Sequence, residues 1–276
     1  MPDICWVIAL KSEASPIISE FKMSLLSNES LFPIYTNRKL RHALIISGIG
    51  QINAAAATAY LASRCHAQKW TAWINIGIAG YSEELVGEIF QAIKVTNFAN
   101  SRSFFPGYRF TKIVPFSQLL TLDKPSASYK HKTLYDMEGA AFSEVASRIS
   151  CNELIFVLKV VSDTPGSLYS SVNRAMAQKL VEKKLKTIGS ILKQITNLVD
   201  EEKERLRLPF EAEKYFDRYH FSVTRKKQFT QKYRKLKAVY PGIAIEKLTE
   251  QATNAKDILE KMDDALCSVS INWSRK

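Results

Sequence analysis

Three acidic residues stand just beyond apolar runs of strand length: Glu13, Glu138 and Asp163. Glu13 follows the run 4–10 (I-C-W-V-I-A-L). Glu138 lies in Asp136-Met137-Glu138-Gly139-Ala140-Ala141, at the start of a small-residue helix, and Asp163 follows Lys159-Val-Val-Ser162. In open α/β sheets ligands bind beyond the carboxyl ends of the strands, so such acids can converge on one site. Converging carboxylates can donate or accept protons, or stabilise a developing cation. Two glycine turns, 47–50 (S-G-I-G) and 77–80 (G-I-A-G), also follow strand-like runs, where small residues let a ligand approach the backbone closely. Each signal has a plainer counterpart. A carboxylate after a strand is commonly a helix cap, and Gly-x-Gly is common in ordinary turns. Cys5, Cys65, Cys151 and Cys267 lie far apart with no CxxC pair, which argues against a structural zinc site or a disulfide framework. Widely spaced reduced thiols, and an N-terminus without a basic n-region, point to a cytoplasmic protein.

The elements that must position these acids are legible as periodicity. The runs 4–10, 43–47, 72–78 and 154–161 are apolar throughout, as strands buried on both faces are. Helical spacing over 11–26 and the alanine-rich 53–61 fall between them. This alternation predicts a three-layer α/β domain with a central sheet flanked by helices. The segment 175–199 reads as one long amphipathic helix closing the domain. The charged stretch 200–209, ended by Pro209, marks a boundary. We therefore expect an α/β domain over 1–199 and a basic helical extension over 200–276. No run approaches 18 apolar residues, which argues against a membrane-spanning helix.

The net charge is +12, which favours anionic ligands or surfaces without specifying one. Between Arg218 and Lys237 eight basic residues occur with no acidic ones, interleaved with His220, Phe221, Phe229 and Tyr233. That pattern suits single-stranded nucleic acid or an anionic membrane surface. The preferred reading is a solvated helix whose apolar side (Phe221, Phe229, Leu236) docks on the catalytic domain or on a second subunit. The segment 246–262 reads as another amphipathic helix.

The order of motifs resembles the purine nucleoside phosphorylase and uridine phosphorylase superfamily. Within it the likeness is to the nucleosidase branch: methylthioadenosine/S-adenosylhomocysteine nucleosidase, futalosine hydrolase and hopanoid-associated relatives. The matching pieces are Ala9-Leu-Lys-Ser-Glu13, Ser47-Gly-Ile-Gly50 with Asn53-Ala-Ala55, Asn75-Ile-Gly-Ile-Ala-Gly80, Val86-Gly-Glu-Ile89, Asp136-Met-Glu-Gly-Ala-Ala141 and Val161-Ser-Asp163. The resemblance spans residues 3–198 and does not reach the extension.

That resemblance implies cleavage of the N-glycosidic bond of a purine nucleoside, through a transition state like an oxocarbenium ion. By likeness Asp163 is the acid to the departing base, and Ser162 orients it. Glu138 holds the ribose hydroxyls, Met137 packs beneath the sugar, and Glu13 activates water. Ile78, Ala79 and Gly80 of the turn line the substrate. No metal or organic cofactor is implied, and relatives are commonly homo-oligomers. Two departures stand out. Phosphorolytic relatives hold phosphate with arginines and a hydroxyl from the glycine turn, whereas here Ile78 stands in that turn and Lys11 is the only cation near Glu13. Water is thus favoured over phosphate as nucleophile, with phosphorolysis the alternative. Only 48 residues separate Ile89 from Glu138, a short span for the segment that walls the base. Phe105, with Phe104 and Tyr108, is the candidate replacement for that wall. A different class also stays open: a catalytically weakened nucleoside-binding module whose basic tail engages a partner.

Overall fold

The structure is a computed structural model, and it describes residues 1–27, 30–83, 85–126, 129, 132–165 and 172–268. The chain divides into two compact units, Met1–Arg205 and Leu206–Lys276.

The first unit is built on one mixed sheet. Its strands are β1 (Ile4–Ile8), β2 (Ser24–Ser27), β3 (Ile34–Asn37), β4 (His42–Ile46), β5 (Ala72–Tyr81), β6 (Ile89–Asn97), β7 (Ser103–Phe104), β8 (Phe116–Thr121), β9 (Leu134–Asp136) and β10 (Ile155–Asp163). The strand order is β10-β6-β8-β9-β5-β1-β4-β3-β2, and β7 pairs with β6. β10 also pairs in parallel with β5, so β5, β10, β6, β8 and β9 close into a ring. Among the described residues, the helices α1 (Lys11–Glu20), α2 (Gln51–Arg64), α3 (Gly139–Ile149), α4 (Arg174–Glu182) and α5 (Leu185–Leu206) accompany the sheet.

The apolar strands fill two cores because successive side chains point to opposite faces. Trp6, Ile8, Ile74, Phe156, Leu158 and Val160 pack with Ala14, Ile17, Leu180, Ile188, Ile191 and Ile195 of α1, α4 and α5. Cys5, Val7, Trp73, Val157 and Val161 pack with Ala57, Leu61, Phe142 and Ala146 of α2 and α3. The result is the expected three-layer arrangement.

Three expectations about elements change. The helix anticipated over 11–26 stops at Glu20. Lys22 takes a positive φ of 46°, and 24–27 becomes a strand paired antiparallel with β3. The helix anticipated over 175–199 is two helices, broken after Glu182, and the second runs on through Leu206, past the expected boundary at 199. The helix anticipated over 246–262 is also interrupted. α8 (Ile245–Leu248) ends early, and α9 (Ala255–Cys267) restarts where the Asn254 side chain caps the N–H groups of Lys256 and Asp257.

The second unit adds α6 (Phe210–Arg218) and α7 (Val223–Val239) to α8 and α9. Its own core joins Ala212, Tyr215, Phe221, Phe229, Tyr233, Leu236, Ile245, Ile258, Leu259 and Met262. The apolar side of the basic segment is therefore used inside the extension, where α6 and α9 cover it. Phe221, Phe229 and Tyr233 are buried, so these three rings serve the extension's own core. Among the described residues no helix is long and apolar enough to cross a membrane.

Candidate active site

One cavity of about 220 Å³ opens at the carboxyl ends of β1, β5 and β10, and Glu13, Ile78, Ala79, Gly80, Met137, Glu138, Ser162 and Asp163 all line it. Phe105 is not among its lining residues. It is 59% exposed, on a loop anchored elsewhere: the Gly107 N–H donates to the Asn152 carbonyl (3.0 Å). Tyr108 packs into the core on the α1, α4 and α5 side, and Phe104 packs beside the core on the α2 and α3 side. The shortened middle segment contributes a different aromatic residue, Tyr129, which lines the cavity with Tyr135.

Glu13 sits in the first turn of α1 and is buried. Its Oε2 accepts the Leu10 N–H (3.0 Å), the bond expected of a helix cap. Its Oε1 accepts the Ile78 N–H from β5 (2.9 Å), which a simple cap does not do. Gly77 permits this approach, because a Cβ there would stand 3.0 Å from Oε1. Burial raises the Glu13 pKa, while the two backbone N–H groups and Lys159 oppose the rise.

Glu138 occupies the residue before α3. Its Oε1 accepts the Gly50 N–H (2.7 Å), joining the two glycine-turn and helix-start motifs that are 88 residues apart. Its pKa is pushed up to about 7, first by burial and then by Asp136, with Lys159 pulling the other way.

Beneath Glu138 lies a buried polar network. Asp136 Oδ1 accepts from the Thr121 hydroxyl (2.6 Å), and Oδ2 accepts from the Gly139 N–H (2.7 Å). Oδ2 also pairs with Lys159 Nζ at 2.8 Å, both side chains fully enclosed. Thr121 Oγ1 in turn accepts the Ala140 N–H (3.0 Å), so the first turn of α3 is capped by two side chains from β8 and β9. Lys159 comes from the middle of β10, facing the α2 and α3 side as Val157 and Val161 do.

Asp163 ends β10. The pairing with β5 slips there: Val161 lies opposite Ala79 and Asp163 opposite Gly80, leaving Ser162 as an extra residue. A bulge of this kind re-aims side chains at a sheet rim. Ser162 donates to Asp163 Oδ1 (2.5 Å), and the Tyr129 hydroxyl donates to Asp163 Oδ2. Tyr129 packs directly over Gly80, where a Cβ would meet its ring at 2.6 Å, and its ring lies 5.0 Å from that of Tyr135.

Sequence reasoning missed Tyr129, Asp136 and Lys159 as parts of this site. A lysine inside an otherwise apolar strand was an available signal, since a charge so placed must find a partner. Tyr129 lies in an irregular stretch with no period to read. Among the described residues no group of His, Cys, Asp and Glu is arranged to hold a metal ion.

Solved structures with this fold include the apo 5′-methylthioadenosine nucleosidase of Arabidopsis thaliana. Its TM-score is 0.60 at 18% identity, over 71% of this chain and 97% of that one. The 5′-methylthioadenosine/S-adenosylhomocysteine nucleosidase of Helicobacter pylori, bound to butyl-thio-DADMe-Immucillin-A, gives 0.56 at 14% identity, over 70% and 99%. The native futalosine hydrolase of Helicobacter pylori gives 0.55 at 15% identity, over 70% and 98%. No protein-family model and no curated protein matches the chain. The fold is thus the one shared by the nucleosidase and futalosine hydrolase branch that the motifs resemble.

Proposed function

We propose that this protein cleaves the N-glycosidic bond of a purine nucleoside modified at the 5′ position, with water as the nucleophile. The observation that carries the reading is the convergence of Glu13, Glu138 and Asp163 on one cavity from three separate parts of the chain. Asp163 is the acid to the departing base, oriented by Ser162. Its position at the strand bulge leaves it 5% exposed, where a proton donor is shielded from water. Glu138 accepts the ribose hydroxyls, and in its ionised form it stabilises the cationic sugar. Glu13 has both oxygens anchored by backbone N–H groups, which holds a base for water in fixed orientation. Met137 lies beneath the sugar, and Ile78, Ala79 and Gly80 face the substrate across the cavity.

Electrostatics support water over phosphate. The cavity lining includes Glu13, Asp136, Glu138 and Asp163, and Lys124 is the one cation among its described residues. A phosphate dianion there would meet four carboxylates, with Lys159 already paired to Asp136.

One observation favours a second reading, a nucleoside-binding module with weakened catalysis: the Tyr129 hydroxyl already engages Asp163. Release of free base from adenosine, inosine and 5′-modified nucleosides, with and without phosphate, separates the readings. Release without phosphate that vanishes in Asp163→Asn supports the hydrolase. Release that requires phosphate makes the protein a phosphorylase. Binding without release from any of them supports the module.

A further inference from the structure

Lys159 is the one fully buried cation among the described residues, at 1% exposure. It stands in the centre of β10, opposite Gly77 of β5 and Phe90 of β6. Burial of an ammonium group is costly, and a buried ion pair is often no more stable than apolar side chains filling the same volume. Stability alone therefore gives little reason for a lysine in I-F-V-L-K-V-V. Its location gives a better one. The ammonium meets Asp136, and Asp136 holds the first N–H of α3, the helix that begins next to Glu138.

We infer that Lys159 is a positioning residue for Glu138: locked to Asp136 beneath the start of α3, it favours the ionised form of Glu138 and keeps it aimed into the cavity. The inference rests on the reading of Glu138 as the group that holds the sugar. Three carboxylates, Glu13 of α1, Asp136 of β9 and Glu138, crowd one buried region, and Lys159 is the charge that balances them. Asp163 of β10, Lys124, Tyr129 and Tyr135 line the same cavity, so among the described residues they are the other titratable groups around it. The direction of each influence follows from charge. Asp136 favours a protonated Glu138, and Lys159 opposes it. Burial works against the Lys159 charge, but Asp136, Glu138 and Glu13 together outweigh it and hold its pKa above the ordinary value. Lys159 therefore stays charged throughout the range in which Glu138 titrates.

The test is an NMR titration of the Glu138 side-chain carboxyl carbon in the full chain, labelled at glutamate and assigned by its loss in Glu138→Gln. This readout needs no turnover, so it stands even if no nucleoside is cleaved. Lys159→Met moves the Glu138 midpoint upward by about one pH unit or more, a tenfold or larger gain in proton affinity. Lys159→Arg returns it close to the native value. Asp136→Asn moves it downward. Opposite shifts in the two single variants are what a structural role alone does not produce. If Lys159→Met does not fold, Lys159→Arg and Asp136→Asn carry the test. Equal midpoints in native protein and Asp136→Asn, or an upward shift in Asp136→Asn, would overturn the inference. Where base release is measurable, the acid limb of kcat/KM follows the same order, while a uniform loss of rate at every pH would count against it.

Discussion

The two units treat charge in opposite ways. In the first, Glu13, Asp136, Glu138, Lys159 and Asp163 are all buried. In the extension no charged side chain is buried among residues 206–268. Its one buried polar residue outside the tyrosines is Thr249, whose hydroxyl pairs with Tyr215 at 2.7 Å. Both units have well-defined cores, so the contrast is not one of packing quality. Buried charge opposes folding unless it is paired, and it is retained where chemistry needs a shifted pKa or a fixed orientation. By this criterion the proposed chemistry belongs to the first unit, and the extension is a small helical body that buries no charged residue among those described.

The largest effect is expected from Asp163→Asn. Loss of a proton donor to the leaving base lowers kcat by about 10² to 10⁴-fold. Steady-state base release with an unchanged circular dichroism spectrum checks it, and activity within twofold of native would break the assignment. On the other side of the comparison, Phe229→Ala removes the largest fully buried ring of the extension core. A cost of about 3–5 kcal/mol follows from the cavity left behind. Hydrogen exchange should then rise across α6 to α9 while β5 and β10 keep their protection. Uniform exchange over both units would show that their stabilities are not separate.

Glu138 sharpens the contrast through pH. Its folded pKa, about 7, lies above the ordinary 4.5. Ionised Glu138 is the form that stabilises the sugar cation, so kcat/KM should fall as pH drops through 7. Stability runs in the opposite sense. The raised pKa means the folded state holds a proton that the unfolded chain loses, so this contribution is present below 4.5 and lost as pH rises through 7. Glu138→Gln should remove its share of that decline, seen as a raised denaturation midpoint at pH 8 relative to pH 5 when compared with native protein, and should reduce kcat by about 10²-fold. A smaller effect is expected from Tyr129→Phe. A base that must displace the phenol from Asp163 no longer breaks a hydrogen bond, and KM should fall up to about tenfold with kcat little changed. A raised KM would instead make the hydroxyl a substrate contact.

A separate pH effect, on stability rather than on activity, belongs to His42. Burial lowers its pKa to about 4 from 6.5. Protonation then favours the unfolded chain, and stability is lost as pH falls from 6.5 toward 4. His42→Phe should flatten that part of the stability profile.

Much of this was legible from residue order. Strands apolar on both faces announced a covered sheet, because no other element needs every position buried over so short a run. Glu13 and Asp163 follow β1 and β10, which run parallel to β5 and end on one rim, whereas Glu138 follows β9, which meets the end of β5 antiparallel. The aromatic cluster 104–108 misled, because aromatic content does not say which surface a loop will cover. Its backbone is tied to the turn at 152–154, away from the cavity. The single helix expected over 246–262 failed because a strong cap at Asn254 outweighs a continuous apolar spacing.

Local pattern by itself determined the strand–helix alternation, the change of character near residue 200 and the placing of three acids just beyond strand-like runs. These depend on burial period and on chemistry carried by single residues. Tertiary structure alone decided that Tyr129 covers Gly80 and meets Asp163, that Glu13 takes the Ile78 N–H, and that Lys159 finds Asp136. Each joins residues brought together by the closed ring of β5, β10, β6, β8 and β9 or by the packing of α1 upon it. The physical reason is range. Propensity and periodicity act over a few residues, whereas the charge and position of a buried carboxylate depend on whatever the fold places within a few ångströms of it.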